Sequence, residues 1–476
     1  MEETRSTSPL TRRGFMKTVA GAAGAAALAP VRRTAAALTP ARQRPNIFFL
    51  NVDQLSCDSF GHHGCTHVKT PNIDRLARRS VSFTQSYSIN PVCVPARAGW
   101  FTGRMSTENG ADASSLQANI PTLGCWLREH GYQTFHAGKL HLGPPVNGGL
   151  TELSSDPKNT ASLGDIVTTR SVEGFFRNYK DRDPFFLGVG LLNPHDICSF
   201  NLTNALFEGV LPFPELAGQL PPCPPNFNAV SKEPRMVEVR REMLLGTRGQ
   251  GDEFNSKSWK EDFWRYYLWA YYRYIEMVDG QVGLILDALE DSGLADNTLL
   301  IFSADHGDGH TAHQLLYKSF LYDEAARVPF MMSWPGHLPE NVIDNTHLVS
   351  GADLFPTVCD YAAAKPPPKL RGYSLRGPAE GRTEAWRDFV VAHTDDLRGK
   401  MIRTNDYKLI AYANDPAIQL FDMKKDPGET RNLADQSELA SVVKDHQKTL
   451  LDFEATLDMA PSVRAGLIKR RILKRE

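Results

Sequence analysis

Short, wholly apolar runs alternate with longer amphipathic stretches along the chain from Pro45 onward. The runs at residues 46–52, 133–137, 185–192 and 298–303 have the length and composition of strands that are buried on both faces. Residues 264–291 repeat apolar side chains at spacings of three and four, which predicts a long helix packed on the sheet, and a shorter helix is expected at 72–77. The pattern predicts an α/β fold with a large mixed, mostly parallel sheet flanked by helices.

The character of the chain changes beyond residue 384. Short strands are expected at 389–392, 401–403, 407–412 and 419–421, and a final helix at 437–457. Polar turns join these segments, which favours a smaller C-terminal α+β subdomain made of an antiparallel sheet plus a helix. Residues 365–369, Lys-Pro-Pro-Pro-Lys, are typical of a linker. We therefore place the main α/β domain at 45–368 and the C-terminal subdomain at 369–476.

The first forty residues combine an arginine pair, a weakly apolar run and a small-residue cleavage site. Arg12 and Arg13 precede the run at 18–29, and three alanines ending at Ala37 follow it. This order resembles a twin-arginine signal peptide, so we expect residues 1–37 to be removed and the remainder to be periplasmic or secreted. The resemblance implies that the Tat export machinery moves the folded chain, so that a cofactor or a modified side chain can be installed first.

Composition excludes several classes of protein. The chain has 476 residues, of which 41% are hydrophobic, and its 53 basic against 55 acidic residues give a net charge of −2. This balance argues against nucleic-acid binding, which needs clustered Lys and Arg, but leaves small anionic ligands possible. No apolar run reaches the ~18 residues of a membrane span. The seven cysteines lack zinc spacing and indicate no disulfide framework, although Cys57 with Cys65, or Cys198 with Cys223, remain candidate pairs.

Two pairs of polar residues stand at the ends of predicted strands. Asp53 and Gln54 follow the first strand, and Asp305 and His306 follow the strand at 298–303. Ligands of open α/β sheets bind outside the carboxyl ends of the strands, where these side chains would meet. Oxygen donors joined by one imidazole suit a divalent cation. A single aspartate in such a place is usually a turn or cap residue, so the prediction depends on the combination.

A cysteine next to a predicted helix start carries the strongest chemical signal. Pro95 and the helix-compatible residues 96–100 predict a helix that opens just after Cys93. The side chain of Cys93 would then face unpaired backbone N–H groups and the positive end of the helix dipole, where a nucleophile can meet an anion. Arg97, one turn further on, can support the negative charge. The alternative is a structural cysteine before a helix that begins with proline.

Several motifs together resemble the type I sulfatases of the alkaline phosphatase superfamily. The stretch from Cys93 to Arg97, Cys-Val-Pro-Ala-Arg, is similar to that family's C-x-P-[S/A]-R signature, and Thr102-Gly103-Arg104 follows it. The other family-like stretches, in the family's order, are Lys69 to Asp74, Gly138 to Gly143, Asn193-Pro194-His195, Ser303 to Asp308, Lys318 with Arg327-Val328-Pro329, and Asp426 to Glu429. Several motifs in order are far more specific than any one of them.

The resemblance implies a function and a set of cofactors. In the family a separate enzyme oxidises the signature cysteine, here Cys93, to the aldehyde formylglycine, whose hydrate attacks the sulfur of a sulfate monoester. One divalent metal ion activates the hydrate, with calcium favoured over magnesium or manganese. The implied substrate is a small-molecule or carbohydrate sulfate ester. Residues 45–368 would then form the catalytic domain.

The resemblance also implies roles for individual residues. The metal ligands would be Asp53, Gln54, Asp305 and His306. Arg97, Lys139 and Lys318 would neutralise the sulfate oxygens. His195 would donate a proton to the leaving alcohol, and His141 would accept one from residue 93. His136, His310 and His313 are expected in loops, the last two as candidate substrate contacts.

This sequence departs from the family pattern at two of the ligand positions. Many members have Asp-Asp where this chain has Asp53-Gln54, and Asn where it has His306. The Asp-Gln and Asp-His combination also occurs in related phosphonate monoester and phosphodiester hydrolases, which are the first alternative. A second alternative, from another class, is a secreted binding protein in which Cys93 stays a thiol.

Overall fold

The computed structural model describes residues 44–464, apart from 112–115, 118, 143–146, 156–160, 201–206, 208, 229, 246–258 and 395–397. The predicted signal peptide, residues 1–37, lies outside the described residues. Within the described ranges, no helix is both long enough and apolar enough to cross a membrane.

Fourteen strands are described. They are β1 (Asn46–Asp53), β2 (Val81–Phe83), β3 (Ser86–Tyr87), β4 (Gln133–Gly138), β5 (Thr151–Ser155), β6 (Phe185–Pro194), β7 (Thr298–Ala304), β8 (Phe330–Ser333), β9 (Val342–Asp344), β10 (Val349–Ser350), β11 (Phe389–Thr394), β12 (Gly399–Thr404), β13 (Tyr407–Tyr412) and β14 (Ile418–Asp422). The strands that the apolar runs predict are all present, most of them one or two residues longer than expected.

Helices of very different length connect these strands. The described α-helices are α1 (Pro71–Arg78), α2 (Cys93–Thr102), α3 (Ser106–Asn109), α4 (Leu123–Glu129), α5 (Ala161–Asn178), α6 (Arg235–Leu245), α7 (Glu261–Asp291), α8 (Asp323–Ala326), α9 (Leu354–Tyr361), α10 (Arg376–Ala379) and α11 (Ala440–Ala455). The predicted helix at 437–457 is a short 3-10 turn, Ser437–Leu439, followed by α11.

Eight strands form one large sheet in the order β5-β4-β6-β1-β7-β8-β2-β9. Strand β8 runs antiparallel to both of its neighbours, and every other neighbouring pair in this sheet is parallel. Successive side chains of a strand point to opposite faces. In β1, Phe48 and Leu50 therefore enter the core beneath α5 and α7, whereas Ile47 and Phe49 enter the core beneath α2, α4 and α9. Helices thus cover both faces, and the predicted fold class is confirmed.

The register of the central strands determines which side chains meet at the carboxyl edge of the sheet. Val52 of β1 pairs with Ala304 of β7, so the next residues, Asp53 and Asp305, leave adjacent strands at the same level. On the other side of β1, Asp53 pairs with Pro194, the last residue of β6. The side chains predicted to bind a cation are therefore neighbours because of strand pairing.

The C-terminal subdomain has the predicted composition of strands and helix. Strands β11 to β14 form an antiparallel sheet in chain order, and α11 packs on β12 and β13. Leu450 of α11 joins Ile402, Leu409 and Leu420 in the apolar core between helix and sheet. The division at residues 368 and 369 stays a prediction.

A partly buried charge cluster attaches α11 to the sheet. Glu454 accepts hydrogen bonds from Nε2 of His393 in β11 at 2.6 Å and from Nζ of Lys400 in β12 at 2.5 Å. Burial raises the pKa of Glu454, but the hydrogen bond and charge of His393 and the charge of Lys400 outweigh it and lower the pKa from 4.5 to about 2. The contacts therefore stabilise the folded state while Glu454 is ionised.

Replacing Glu454→Gln is expected to lower the free energy of unfolding by about 1–3 kcal/mol at neutral pH, because it removes a charge-assisted pair. Since the folded-state pKa lies below the ordinary value of 4.5, this contribution is complete above pH 4.5 and is lost as the pH falls toward 2. Urea denaturation of both forms at a series of pH values measures the difference.

The control is Asp452→Asn, which removes an exposed pair with Lys448 on the same helix and should change stability by less than about 0.5 kcal/mol. If Glu454→Gln lowers the free energy of unfolding by the same amount at every pH below 4.5, the explanation by charge is contradicted.

Candidate active site

Helix α2 begins at Cys93 itself, slightly earlier than the sequence predicts. Val92 precedes it in extended conformation, and no side chain caps this end of the helix. The first N–H groups of a helix have no partner within it, so the Cys93 side chain stands beside unpaired donors at the positive end of the dipole. Cys93 is only 5% exposed. Such a place favours a negative charge on residue 93 or on a group bound to it.

Three charged or titratable groups surround the thiol. Its Sγ lies 3.1 Å from Nζ of Lys318, 3.2 Å from Nε2 of His306 and 3.8 Å from Oδ1 of Asp53. Burial and Asp53 both raise the pKa of Cys93, but Lys318, His306 and Lys139 outweigh them, so the pKa is well below its ordinary value. The surroundings therefore stabilise an anion at this point.

The predicted cation ligands come together around Cys93. Asp53, Cys93, Asp305 and His306 are all buried, and one ligand atom of each lies within 4.8 Å of the others. Nδ1 of His306 lies 2.9 Å from the carbonyl oxygen of Gly307, which it can reach as a donor, and Nε2 then carries the lone pair. That nitrogen lies 3.8 Å from Oδ1 of Asp53 and 3.7 Å from Oδ1 of Asp305. Two carboxylates and an imidazole nitrogen whose ligand atoms lie within 4.8 Å of one another fit a divalent cation.

Arg97 and Lys139 balance the two buried carboxylates. Arg97 donates from Nε to Asp305 at 2.8 Å and from Nη2 to Asp53 at 3.0 Å, and Nζ of Lys139 lies 2.6 Å from Asp53. Burial raises the pKa of Asp53, but Lys139, His195 and Arg97 together hold it well below its ordinary value. Lys318 contacts Cys93 and Gln54, so its positive charge lies beside residue 93 and suits an anionic group there.

Gln54 is fully buried beside the same cluster. Its Oε1 accepts a hydrogen bond from Nζ of Lys318 at 3.1 Å and from Sγ of Cys198 at 3.2 Å, while its Nε2 donates to Asp308 at 2.7 Å. Asp308 and Tyr267, which donates to it, were not among the predicted site residues. Asp308 belongs to a stretch that the sequence singles out, but only its structural contact with Gln54 distinguishes it.

All seven cysteines are free in the structure.

The two predicted proton-transfer histidines differ in their placement. His195 opens a 3-10 turn directly after Pro194, the residue of β6 that pairs with Asp53. It is half-buried, and its charge lowers the pKa of Asp53. His141 is exposed, with a φ of 53°. Among the described residues, no hydrogen bond or ion pair joins His141 to the cluster. The structure thus gathers all the predicted residues around Cys93 except His141.

Of the three histidines expected in loops, one is placed wrongly. His136 lies inside β4, where burial and then the charge of Arg97 lower its pKa to about 3, so it is neutral. The strand predicted at 133–137 already includes position 136, and the structure confirms the strand and not the loop. His310 and His313 do lie after β7, as expected. His313 is buried and stacks on Tyr322, with ring centroids 4.2 Å apart.

Comparison with family models gives two matches. The model described as Sulfatase matches residues 45–364, and the model described as N-sulphoglucosamine sulphohydrolase, C-terminal, matches residues 311–456. A Delta 4,5-hexuronate-2-O-sulfatase of Bacteroides thetaiotaomicron is 30% identical in sequence, and the match covers 88% of this chain and 90% of that protein.

Solved structures show the same similarity. The structure of a 2-O GAG sulfatase superposes with a TM-score of 0.78 and 30% identity, covering 91% of this chain and 95% of that one. The phosphonate monoester hydrolase of Agrobacterium radiobacter superposes with a TM-score of 0.75 and 24% identity, covering 87% and 96%. The second likeness shows a shared fold alone.

Proposed function

Since the chain belongs to the sulfatase family and is a sulfuric ester hydrolase, we propose that it hydrolyses sulfate monoesters of a carbohydrate at the Cys93 cluster, with Cys93 converted to formylglycine. The observation that carries the proposal is the position of Cys93, at the start of α2 and within hydrogen-bonding distance of Lys318 and His306. Family membership sets aside the alternative of a binding protein without catalytic activity.

A divalent cation is the implied partner of this cluster, and Asp53, Gln54, Asp305 and His306 would hold it. When bound, such a cation polarises sulfate oxygens and lowers the pKa of a hydroxyl group, and a hydrated aldehyde at residue 93 supplies that hydroxyl group. Calcium is favoured, with magnesium or manganese as alternatives, because the donor set is mostly oxygen.

The cationic side chains provide electrostatic stabilisation of the sulfate group. Lys318 contacts Cys93 directly and Lys139 contacts Asp53, so both can donate to oxygens of a substrate at residue 93. Arg97 forms ion pairs with both carboxylates, Asp53 and Asp305, and adds its positive charge to the site through them. The three charges favour the ester anion over a neutral ligand.

Two histidines are proposed to move protons. His195 would donate from its imidazole to the oxygen of the leaving alcohol, and its half-buried place after β6 allows contact with both cluster and solvent. His141 would accept a proton released at residue 93. His141 follows Lys139 by two residues in the segment after β4.

The choice of a carbohydrate follows from the relatives. One relative is a Delta 4,5-hexuronate-2-O-sulfatase, and one similar solved structure is that of a 2-O GAG sulfatase. Each is 30% identical to this chain over most of its length. A sugar sulfate is therefore the proposed substrate class. Phosphonate monoester hydrolysis is the second candidate, favoured by the Asp-Gln and Asp-His ligand combination.

Export by the Tat machinery is part of the proposal. Replacing Arg12→Lys together with Arg13→Lys should leave the chain in the cytoplasm with residues 1–37 still attached, because the arginine pair is the recognised feature. Cell fractionation shows where the variant is located, and N-terminal sequencing shows whether residues 1–37 are still attached. Unchanged export of this variant would refute a twin-arginine signal.

The proposed modification of Cys93 predicts a change in mass, and it predicts that turnover and cation binding respond differently to a substitution at this position. The peptide containing residue 93 should have lost its sulfur in protein made with a formylglycine-installing enzyme, as mass spectrometry can measure. Cys93→Ala should abolish turnover of an aryl sulfate, by at least about 10³-fold, because the nucleophile is gone. It should still bind the cation, because its ligands come from other residues. A fully active Cys93→Ala variant would disprove the mechanism.

Substrate preference separates the two candidate reactions. Specificity constants for an aryl sulfate and an aryl phosphonate, measured on the same preparation, are expected to favour the sulfate. A panel of sulfated sugars should then contain the best substrates of all, since binding of the sugar adds interactions that an aryl group lacks. A clear preference for the phosphonate would assign the chain to the second candidate function.

A further inference from the structure

The side chain of Gln54 can bind a cation in only one of its two orientations. An amide has an oxygen at one position and an NH2 group at the other, and only the oxygen is a ligand for a hard cation. Gln54 is fully buried at the end of β1, so its neighbours decide which end faces the cluster.

Asp308 contacts the nitrogen end of this amide. Its Oδ2 accepts from Nε2 of Gln54 at 2.7 Å, and the same carboxylate accepts from the Tyr267 hydroxyl at 2.9 and 3.1 Å and from the backbone N–H of His310 at 2.6 Å. An ionised carboxylate has no proton to donate. The group of Gln54 that faces it must therefore be NH2.

Lys318 determines the other end of the amide. Its Nζ lies 3.1 Å from Oε1 of Gln54 and 3.1 Å from Sγ of Cys93. An ammonium group can only donate, so the end of Gln54 toward Cys93 must be the oxygen. The reversed amide would set oxygen against the Asp308 carboxylate and NH2 against the Lys318 ammonium, and both contacts would be repulsive.

Helix α7 supports this arrangement through two tyrosines one turn apart. Tyr267 donates to Asp308, and the Tyr271 hydroxyl donates to the backbone carbonyl of Gln54 at 2.8 Å. The backbone of Gln54 has a φ of 69°, and its N–H donates to Asp305 at 3.2 Å. Both the backbone and the side chain of Gln54 are thus fixed by buried hydrogen bonds, which is how partners outside a metal site orient its ligands.

We propose that Asp308 is a positioning residue that orients the Gln54 amide so that its oxygen, and not its nitrogen, faces the cation. The inference rests on the proposed function, in which Gln54 is one of the cation ligands. It assigns Asp308 no contact with the substrate.

Replacing Asp308→Asn tests the proposal without a change of shape. The new amide can donate to Oε1 of Gln54 while its own oxygen accepts from Tyr267, and Gln54 then turns its NH2 toward the cluster. Calorimetric titration of the full chain, first stripped with a chelator, with Ca²⁺, Mg²⁺ or Mn²⁺ should show affinity reduced about 10- to 100-fold for the cation that binds most tightly.

Adding Gln54→Glu to Asp308→Asn should restore binding. The two oxygens of a carboxylate are equivalent, so one can accept from Asn at position 308 while the other faces the cation, whichever way the group turns. The affinity of the double variant is expected within about threefold of the original chain. The control is Asp353→Asn, another buried acid-to-amide change, whose hydrogen bonds go to Ser350, Tyr373 and Arg387 and which should leave cation affinity unchanged.

Each result decides the matter. Cation binding by Asp308→Asn that is as tight as in the original chain would overturn the proposal, as would a loss that the double variant does not recover, which is the result of a purely structural role. If Gln54→Ala binds the cation as tightly as before, Gln54 is not a ligand and this inference fails, while the proposed hydrolysis of sulfate esters at Cys93 survives. If the original chain binds none of the three cations, the proposed metal site fails and the inference with it.

Discussion

Two carboxylates buried side by side are the constraint on which the site depends. Asp53 and Asp305 leave the ends of paired strands at the same level and are both removed from water. Unpaired charges in such a place cost several kcal/mol each by order of magnitude, so cations must be supplied from elsewhere in the fold. They come from α2, from the end of β4 and from the loop after β7, as Arg97, Lys139 and Lys318.

The ion pairs that neutralise these carboxylates also determine the position of Cys93. Cys93 and Arg97 are four residues apart and so share one face of α2. Because Arg97 donates to both carboxylates and to the carbonyl of Lys139, the rotation of α2 about its axis is determined, and Cys93 faces the same cluster. A change at Arg97 would therefore disturb the placement of Cys93 as well as the charge balance.

Much of this arrangement can be predicted from sequence because it follows local pattern. The central strands are continuous apolar runs, and Asp53 and Asp305 are conspicuous as the first charges after them. Asp308 and Tyr267 could not be found in this way, since their contact joins residues 41 positions apart. Tyr267 resembles any other aromatic residue on the buried face of a long helix. The burial of His136 could have been read from the predicted strand at 133–137, but its neutral state depends on the tertiary neighbours of that strand.

The burial of Cys93 sets the timing of any chemistry on its thiol by another enzyme. Cys93 is only 5% exposed, and the side chains that contact it include Lys318 and His306, which lie more than 200 residues further along the chain. At this exposure the thiol is out of reach of the active site of another protein while the chain is folded. An enzyme that modified this thiol would have to act before Lys318 and His306 pack over residue 93.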